Sequence, residues 1–133
     1  IAMLKRTEAY IQTMQYDKAI RTINQCLEIY PDYDKALNLK GIIYMQKEDY
    51  DQARSIFIHI INRVNYRFVT AYYNLALISI NKQDPQTAKN YLSKAIEVNS
   101  NYQPPYLLMA EILKQQGLTN EANQYLQAAK SLN

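Results

Sequence analysis

An alanine recurs along this chain at Ala19, Ala53, Ala88 and Ala122, at spacings of 34, 35 and 34 residues, each time inside the same local pattern. Such a period marks an array of small supersecondary units, because one unit cannot bury its apolar face alone and relies on the next. Ahead of the alanines stand Tyr16-Asp17-Lys18, Tyr50-Asp51-Gln52, Pro85-Gln86-Thr87 and Thr119-Asn120-Glu121. Four residues after them come Ile23, Phe57, Leu92 and Leu126, and a second series follows at Cys26, Ile60, Ala95 and Ala129. Positions three or four apart share one face of a helix, so that face is expected to be buried between neighbours.

Each copy also carries an earlier helical pattern, over Met3 to Tyr10, Leu37 to Tyr44, Tyr72 to Ser79 and Tyr106 to Leu113. The repeating unit is therefore a helical hairpin, and the expected fold class is all-α. Punctuation agrees with this. Asp84-Pro85 looks like an N-cap followed by a first-turn proline, Pro104-Pro105 opens a helix, Tyr30-Pro31-Asp32 ends one, and Glu48-Asp49 and Gly117 fall in turns. The single spacing of 35 implies one extra residue between Ile61 and Val69, expected as a slightly longer turn. The repeats run over about 1–33, 34–68, 69–102 and 103–133 in a single domain. Because Ile1-Ala2-Met3-Leu4 is followed at once by Lys5-Arg6 and a helical pattern, the chain reads as a piece of something longer.

Composition narrows the chemistry. With 48% hydrophobic residues in 133 there is enough apolar surface for a core. Lys and Arg number 15 against 12 acids and are dispersed, which disfavours a surface built for nucleic acid. One Cys and one His exclude most zinc sites, and two Gly exclude a glycine-rich phosphate loop. No apolar run approaches the roughly 18 residues of a membrane span. Cys26 lies mid-helix and reads as a small buried hydrophobe. His59 lies on a second helix with no metal or triad partner at suitable spacing, and Glu8 and Glu111 stand on the first and last repeats. No enzyme activity, catalytic residue, cofactor or metal is expected. Tyr10, Tyr16, Tyr44 and Tyr50 recur at a spacing of 34 and read as interhelix packing with the hydroxyl near solvent.

These features resemble the tetratricopeptide repeat family over nearly the whole chain. The second repeat matches its signature through Leu37, Gly41, Tyr44, Ala53 and Phe57, and the first through Tyr10, Ala19 and Pro31. The third offers Tyr72, Leu75, Ala76, Ala88, Leu92 and Ala95, and the fourth Tyr106, Ala110, Ala122, Leu126 and Ala129. Arg6 and Lys40 replace the usual Leu, Thr7 replaces Gly, and Asn65 or Tyr66 and Ser100 stand where Pro is common. The resemblance implies an α-solenoid of about four helix-turn-helix repeats wound as a right-handed superhelix. Small residues at the recurring alanines and at Gly41, Ala76 and Ala110 let paired backbones approach, and larger ones there would overpack at about 1–3 kcal/mol.

In that family the first helices of successive repeats line a concave groove, and the resemblance implies that a peptide or helix of a partner protein binds there. Setting aside the packing positions leaves Leu4, Glu8, Ile11 and Gln12 in the first repeat and Lys35, Asn38, Ile42, Met45 and Gln46 in the second. The third supplies Thr70, Tyr73, Leu77, Ile80 and Asn81, and the fourth Leu107, Glu111, Lys114 and Gln115. Ile42, Met45, Tyr73, Leu77 and Ile80 are expected to form an apolar patch, the usual mark of an interaction site, with Asn38, Asn74 and Asn81 at its rims. The family's carboxylate clamp for chaperone tails is not supported, because Leu4, Glu8 and Leu39 occupy the corresponding region and no Lys or Arg precedes Lys82 on the third first helix. The expected function is a noncatalytic interaction module or assembly scaffold. The alternatives are a spacer or self-association domain, or a helical-repeat RNA-binding module; part of the faces bearing Tyr125, Leu126, Ala129 and Leu132 at one end and Met3 and Tyr10 at the other is expected to be bare, to be covered by a capping helix, further repeats or another subunit.

Overall fold

A computed structural model describes residues 1–132. Among the described residues eight α-helices follow one another: α1 Ala2–Gln12, α2 Tyr16–Ile29, α3 Asp34–Gln46, α4 Tyr50–His59, α5 Val69–Asn81, α6 Pro85–Val98, α7 Pro104–Gln115 and α8 Thr119–Lys130. A π-helical turn over Ile60–Val64 continues α4, and no strand occurs among the described residues. The expected all-α class is what the structure shows. The chain divides into two compact units, Ile1–Ala71 and Tyr72–Asn133.

Each unit is held by the residues the repeat period marks. In the first, Ala19, Ile23 and Cys26 of α2 form one core with Leu4 of α1 and Ala36 and Ile43 of α3. In the second, Ala88 and Leu92 of α6 and Ala122 of α8 meet Ala76 of α5 and Met109, Ala110 and Leu113 of α7. The alanines are buried because a paired backbone occupies the space that a longer side chain would need. Thr7, at the position equivalent to Gly41, is also fully buried; its hydroxyl donates to the Met3 carbonyl at 2.7 Å, so its burial leaves its hydroxyl paired.

The turns inside the hairpins share one geometry. After each first helix the N–H of Gln15, Asp49, Asp84 and Leu118 donates five residues back, to the carbonyls of Tyr10, Tyr44, Ser79 and Leu113, at 2.8 to 2.9 Å. The residue before each donor is left-handed, with φ of 60° at Met14, 62° at Glu48, 62° at Gln83 and 80° at Gly117. This is the Schellman ending, in which a left-handed residue turns the chain and satisfies the last helical carbonyls. Only Gly117 occupies that conformation without a Cβ penalty, which for other residues is roughly 1–2 kcal/mol. The two middle turns compensate on the next residue, where the carboxylates of Asp49 and Asp84 cap α4 and α6 by accepting from the N–H of Gln52 and Thr87.

The extra residue implied by the 35 spacing does not lengthen a turn. The N–H that closes α2 runs from Tyr30 to the Cys26 carbonyl, and the one that closes α6 from Asn99 to Ala95, both spanning four residues. The equivalent bond after α4 runs from Asn65 to Ile60 at 2.7 Å and spans five. The added residue is thus taken up as a π turn inside the helix. Both ends of that segment are pinned. Ile60 is fully buried, while the Asn65 side chain donates to Asp34 Oδ2 at 2.9 Å and accepts from the Arg67 N–H at 3.0 Å. With its ends held, the helix widens between them. Asn99 makes the same bond, accepting from the Asn101 N–H at 3.1 Å. Asn65 and Asn99 thereby turn the chain without the proline found at Pro31, and Tyr66 rather than Asn65 occupies the proline position.

Candidate functional site

The candidate site is built on the first helix of each hairpin, where one set of positions recurs with the repeat. Leu4, Asn38, Tyr73 and Leu107 are equivalent, as are Glu8, Ile42, Leu77 and Glu111, then Ile11, Met45, Ile80 and Lys114, and lastly Gln12, Gln46, Asn81 and Gln115. Within each helix the second set follows the first by four residues, the third follows the second by three and the fourth follows the second by four, so all lie on one face.

In the first unit, Lys35, Asn38, Ile42 and Met45 form a single stripe along α3, exposed at Lys35 and half-buried at the other three. Helix α1 packs beside α3 and contributes Glu8 and Gln12 as exposed polar neighbours and Ile11 as a half-buried one. Leu4 corrects the expectation: it is only 8% exposed and belongs to the core with Ala19, Ile23 and Ile43, so it offers no surface. It is covered because α2 and α3 both pack against it, through Ala19 and Ile23 on one and Ala36 and Ile43 on the other.

In the second unit, Tyr73 and Ile80 are half-buried and pack against the core with one side while keeping the other accessible. Leu77, between them on α5, is half-buried and Asn81 is exposed, whereas Asn74 is only 7% exposed and so, against expectation, offers no rim to the patch. The Tyr73 ring meets the Tyr102 ring edge-on, with centroids 6.5 Å apart and planes at 83°. Burial raises the Tyr73 phenol above its ordinary range, and the nearby charge of Glu111 adds to the effect. Burial raises Tyr102 in the same direction. A phenol so placed stays protonated at neutral pH, an amphipathic anchor that can donate a hydrogen bond. On α7, Leu107 is 43% exposed, and Glu111 and Lys114 follow it along the same face. Beyond Ile80 the face ends in a recess of about 240 Å3 lined by Ile80, Gln83, Pro85, Ile112, Gln115 and Gln116.

Sequence reasoning named Ile80 and Gln115 but missed Tyr102, Gln83, Pro85 and Gln116. Those four belong to turns or helix ends, which helical periodicity does not reach. It also passed over a larger recess, about 560 Å3, at the turn from α2 to α3 in the first unit, where Tyr30-Pro31-Asp32 reads only as punctuation. Cys26 is buried, as its apolar neighbours suggest, and His59 lies near the surface with Nε2 3.8 Å from Asp32 Oδ1. No group of three or more side chains able to hold a metal occurs among the described residues. No helix among them is long and apolar enough to cross a membrane.

Two family profiles described as tetratricopeptide repeat match the chain, one over residues 10–65 and the other over 69–102. Among curated proteins it is similar to anaphase-promoting complex subunit 3 of Schizosaccharomyces pombe, 26% identical over 87 residues. That stretch covers 65% of this chain but only 13% of the relative. Among solved structures, the crystal structure of MamA superposes with a TM-score of 0.80 at 20% identity, over 96% of this chain and 74% of that one. MamA from Desulfovibrio magneticus RS-1, residues 41 to the end, gives 0.78 at 15% identity, over 98% of this chain and 73% of that one. At such identities the likeness shows the fold, an α-solenoid of helical hairpins.

Proposed function

The chain belongs to the tetratricopeptide repeat family, and from that premise we propose that it is a noncatalytic interaction module whose first-helix faces bind a peptide or helix of a partner protein. The observation that carries this reading is the stripe of half-buried large side chains along α5, Tyr73, Leu77 and Ile80, continued on α7 by the exposed Leu107. Side chains seated in a core on one side and accessible on the other are already ordered, so a partner that covers them gains apolar burial at small entropic cost. On α3, Ile42 and Met45 offer the same combination, with Lys35 and Asn38 able to set the register of a bound backbone. Tyr73 and Met45 are suited to anchoring, one as a rigid amphipathic ring and the other as an adaptable thioether. The similarity to a named subunit of a multiprotein complex supports an assembly role.

The test is affinity capture from host lysate with the native chain beside Leu77→Glu, at low and moderate salt, with helicity measured for both. A protein retained by the native chain at both salts and lost by the helical variant supports the reading. Recovery mainly of salt-labile RNA points instead to phosphate contacts, whose affinity falls steeply with ionic strength. Equal capture by both proteins removes α5 from the binding face.

A further inference from the structure

The recess at the turn from α2 to α3 is lined by none of the first-helix residues named above and has its own chemistry. Its walls are Ile29, Tyr30, Pro31, Asp32 and Tyr33. Ile29 and Tyr30 are each 60% exposed, which leaves an aliphatic and an aromatic surface open to solvent. The Tyr30 and Tyr33 rings stand edge to face, with centroids 6.3 Å apart and planes at 83°. Backbone bonds hold that corner: the Tyr30 N–H donates to the Cys26 carbonyl at 2.9 Å, the Tyr33 N–H donates to Tyr30 at 3.2 Å, and Pro31 fixes its own φ between them.

Two carboxylates flank the corner, and they differ. Asp34 is engaged, with Oδ1 accepting the Lys35 N–H at 2.7 Å and Oδ2 accepting from Asn65 at 2.9 Å. Asp32 accepts no hydrogen bond among the described residues; its side chain is 78% exposed, and its ion-pair partner, His59 Nε2, lies at 3.8 Å, beyond hydrogen-bond reach. No Lys or Arg lines the recess. An aromatic ring beside a solvent-exposed carboxylate, with no Lys or Arg in the walls, is complementary to a planar cation that carries N–H donors.

We propose that this recess binds the guanidinium of an arginine side chain presented by a protein partner. The guanidinium stacks on the open face of Tyr30 and directs two N–H groups at the Asp32 carboxylate, while its methylenes lie along Ile29. A quaternary ammonium suits the recess less well, since it has no N–H for the carboxylate and two rings do not enclose it. A lysine ammonium makes the charge contact but does not stack.

The experiment is an NMR titration of the whole chain with N-acetylarginine amide, above the pH range in which histidine is charged. N-acetylcitrulline amide, the neutral isostere, and tetramethylammonium are titrated in parallel. Saturable shifts at Tyr30, Asp32 and Tyr33 are expected with the arginine compound in the millimolar range, about fivefold weaker binding with tetramethylammonium and none with citrulline. Asp32→Asn and Tyr30→Ala each weaken arginine binding about fivefold with helicity unchanged, since both side chains are largely exposed. Absence of saturation with arginine, equal shifts from citrulline, tetramethylammonium binding as tightly as arginine, or indifference to Asp32→Asn in a folded variant would each overturn the assignment. None of these outcomes bears on the first-helix faces, which use other residues.

Discussion

The second and third hairpins solve one packing problem in opposite ways. In the second, Gly41 of α3 lies under the Phe57 ring of α4, and a Cβ built at Gly41 would sit 2.6 Å from two of its ring carbons. In the third, the equivalent positions hold Ala76 and Leu92, both buried in the core of their unit. A larger side chain on the second helix is met by a smaller one on the first, so the contact is filled in both cases. What the hairpin specifies at this point is a sum of two volumes, and close-packed interiors enforce the sum more strictly than the identity of either residue.

That comparison breaks most visibly at Phe57. Phe57→Ala should destabilise by about 3–5 kcal/mol, because the ring is fully buried and the space beside Gly41 cannot collapse, whereas Leu92→Ala should cost about 2–5 kcal/mol. Urea unfolding of the two variants checks the order. Gly41→Ala should cost about 1–3 kcal/mol through overpacking, reduced by the roughly 1 kcal/mol that alanine gains over glycine in a helix. Adding Phe57→Leu recreates the third hairpin's pair inside the second. The double variant is expected to be more stable than the sum of the two single changes allows, and strict additivity would show that the two positions do not share one volume.

Smaller effects sharpen the same contrast at the turns. The third hairpin joins a strained left-handed Gln83 to the capping Asp84, while the fourth joins a relaxed Gly117 to Leu118, which makes no side-chain cap bond. Gln83→Gly is expected to raise stability by less than about 1 kcal/mol, since relief of the left-handed strain is offset by glycine's larger unfolded-state entropy. Gly117→Ala should lower it by about 1–2 kcal/mol. Asp84→Asn tests the cap through pH. The Thr87 hydroxyl and N–H both donate to Asp84, and they hold its carboxyl below the usual range. A folded value below the unfolded one means that the stabilisation is present above the ordinary carboxylate range and is lost as pH falls through the lowered value. The native chain should therefore melt above Asp84→Asn at neutral pH, with the gap closing as acid is added.

Much of this was legible in the sequence, for identifiable reasons. The buried alanines, the Ile23, Phe57 and Leu92 series and the hairpin order all follow from a period that every repeat obeys. The left-handed conformation of Met14, Glu48 and Gln83 was not legible, even where Glu48-Asp49 read as a turn, because glycine is its usual signal and only Gly117 supplies it. The π turn was half legible: the count showed one residue too many, but whether helix or turn absorbs it depends on which ends are pinned, and Ile60 and Asn65 are pinned by partners distant in the chain. On the candidate site, helical projection named the half-buried stripe of α3 and α5, yet it offered Leu4 as surface because position on a face does not tell which neighbouring helices cover it.

The sequence by itself determined the repeat, the helical hairpins and the family, since these rest on local periodicity that a helix imposes on its own residues. Only the tertiary structure decided which members of a face remain accessible, where the added residue went, and that Tyr30, Asp32 and Tyr33 frame a recess. Those outcomes depend on what the rest of the fold places against each residue, and no local pattern encodes that.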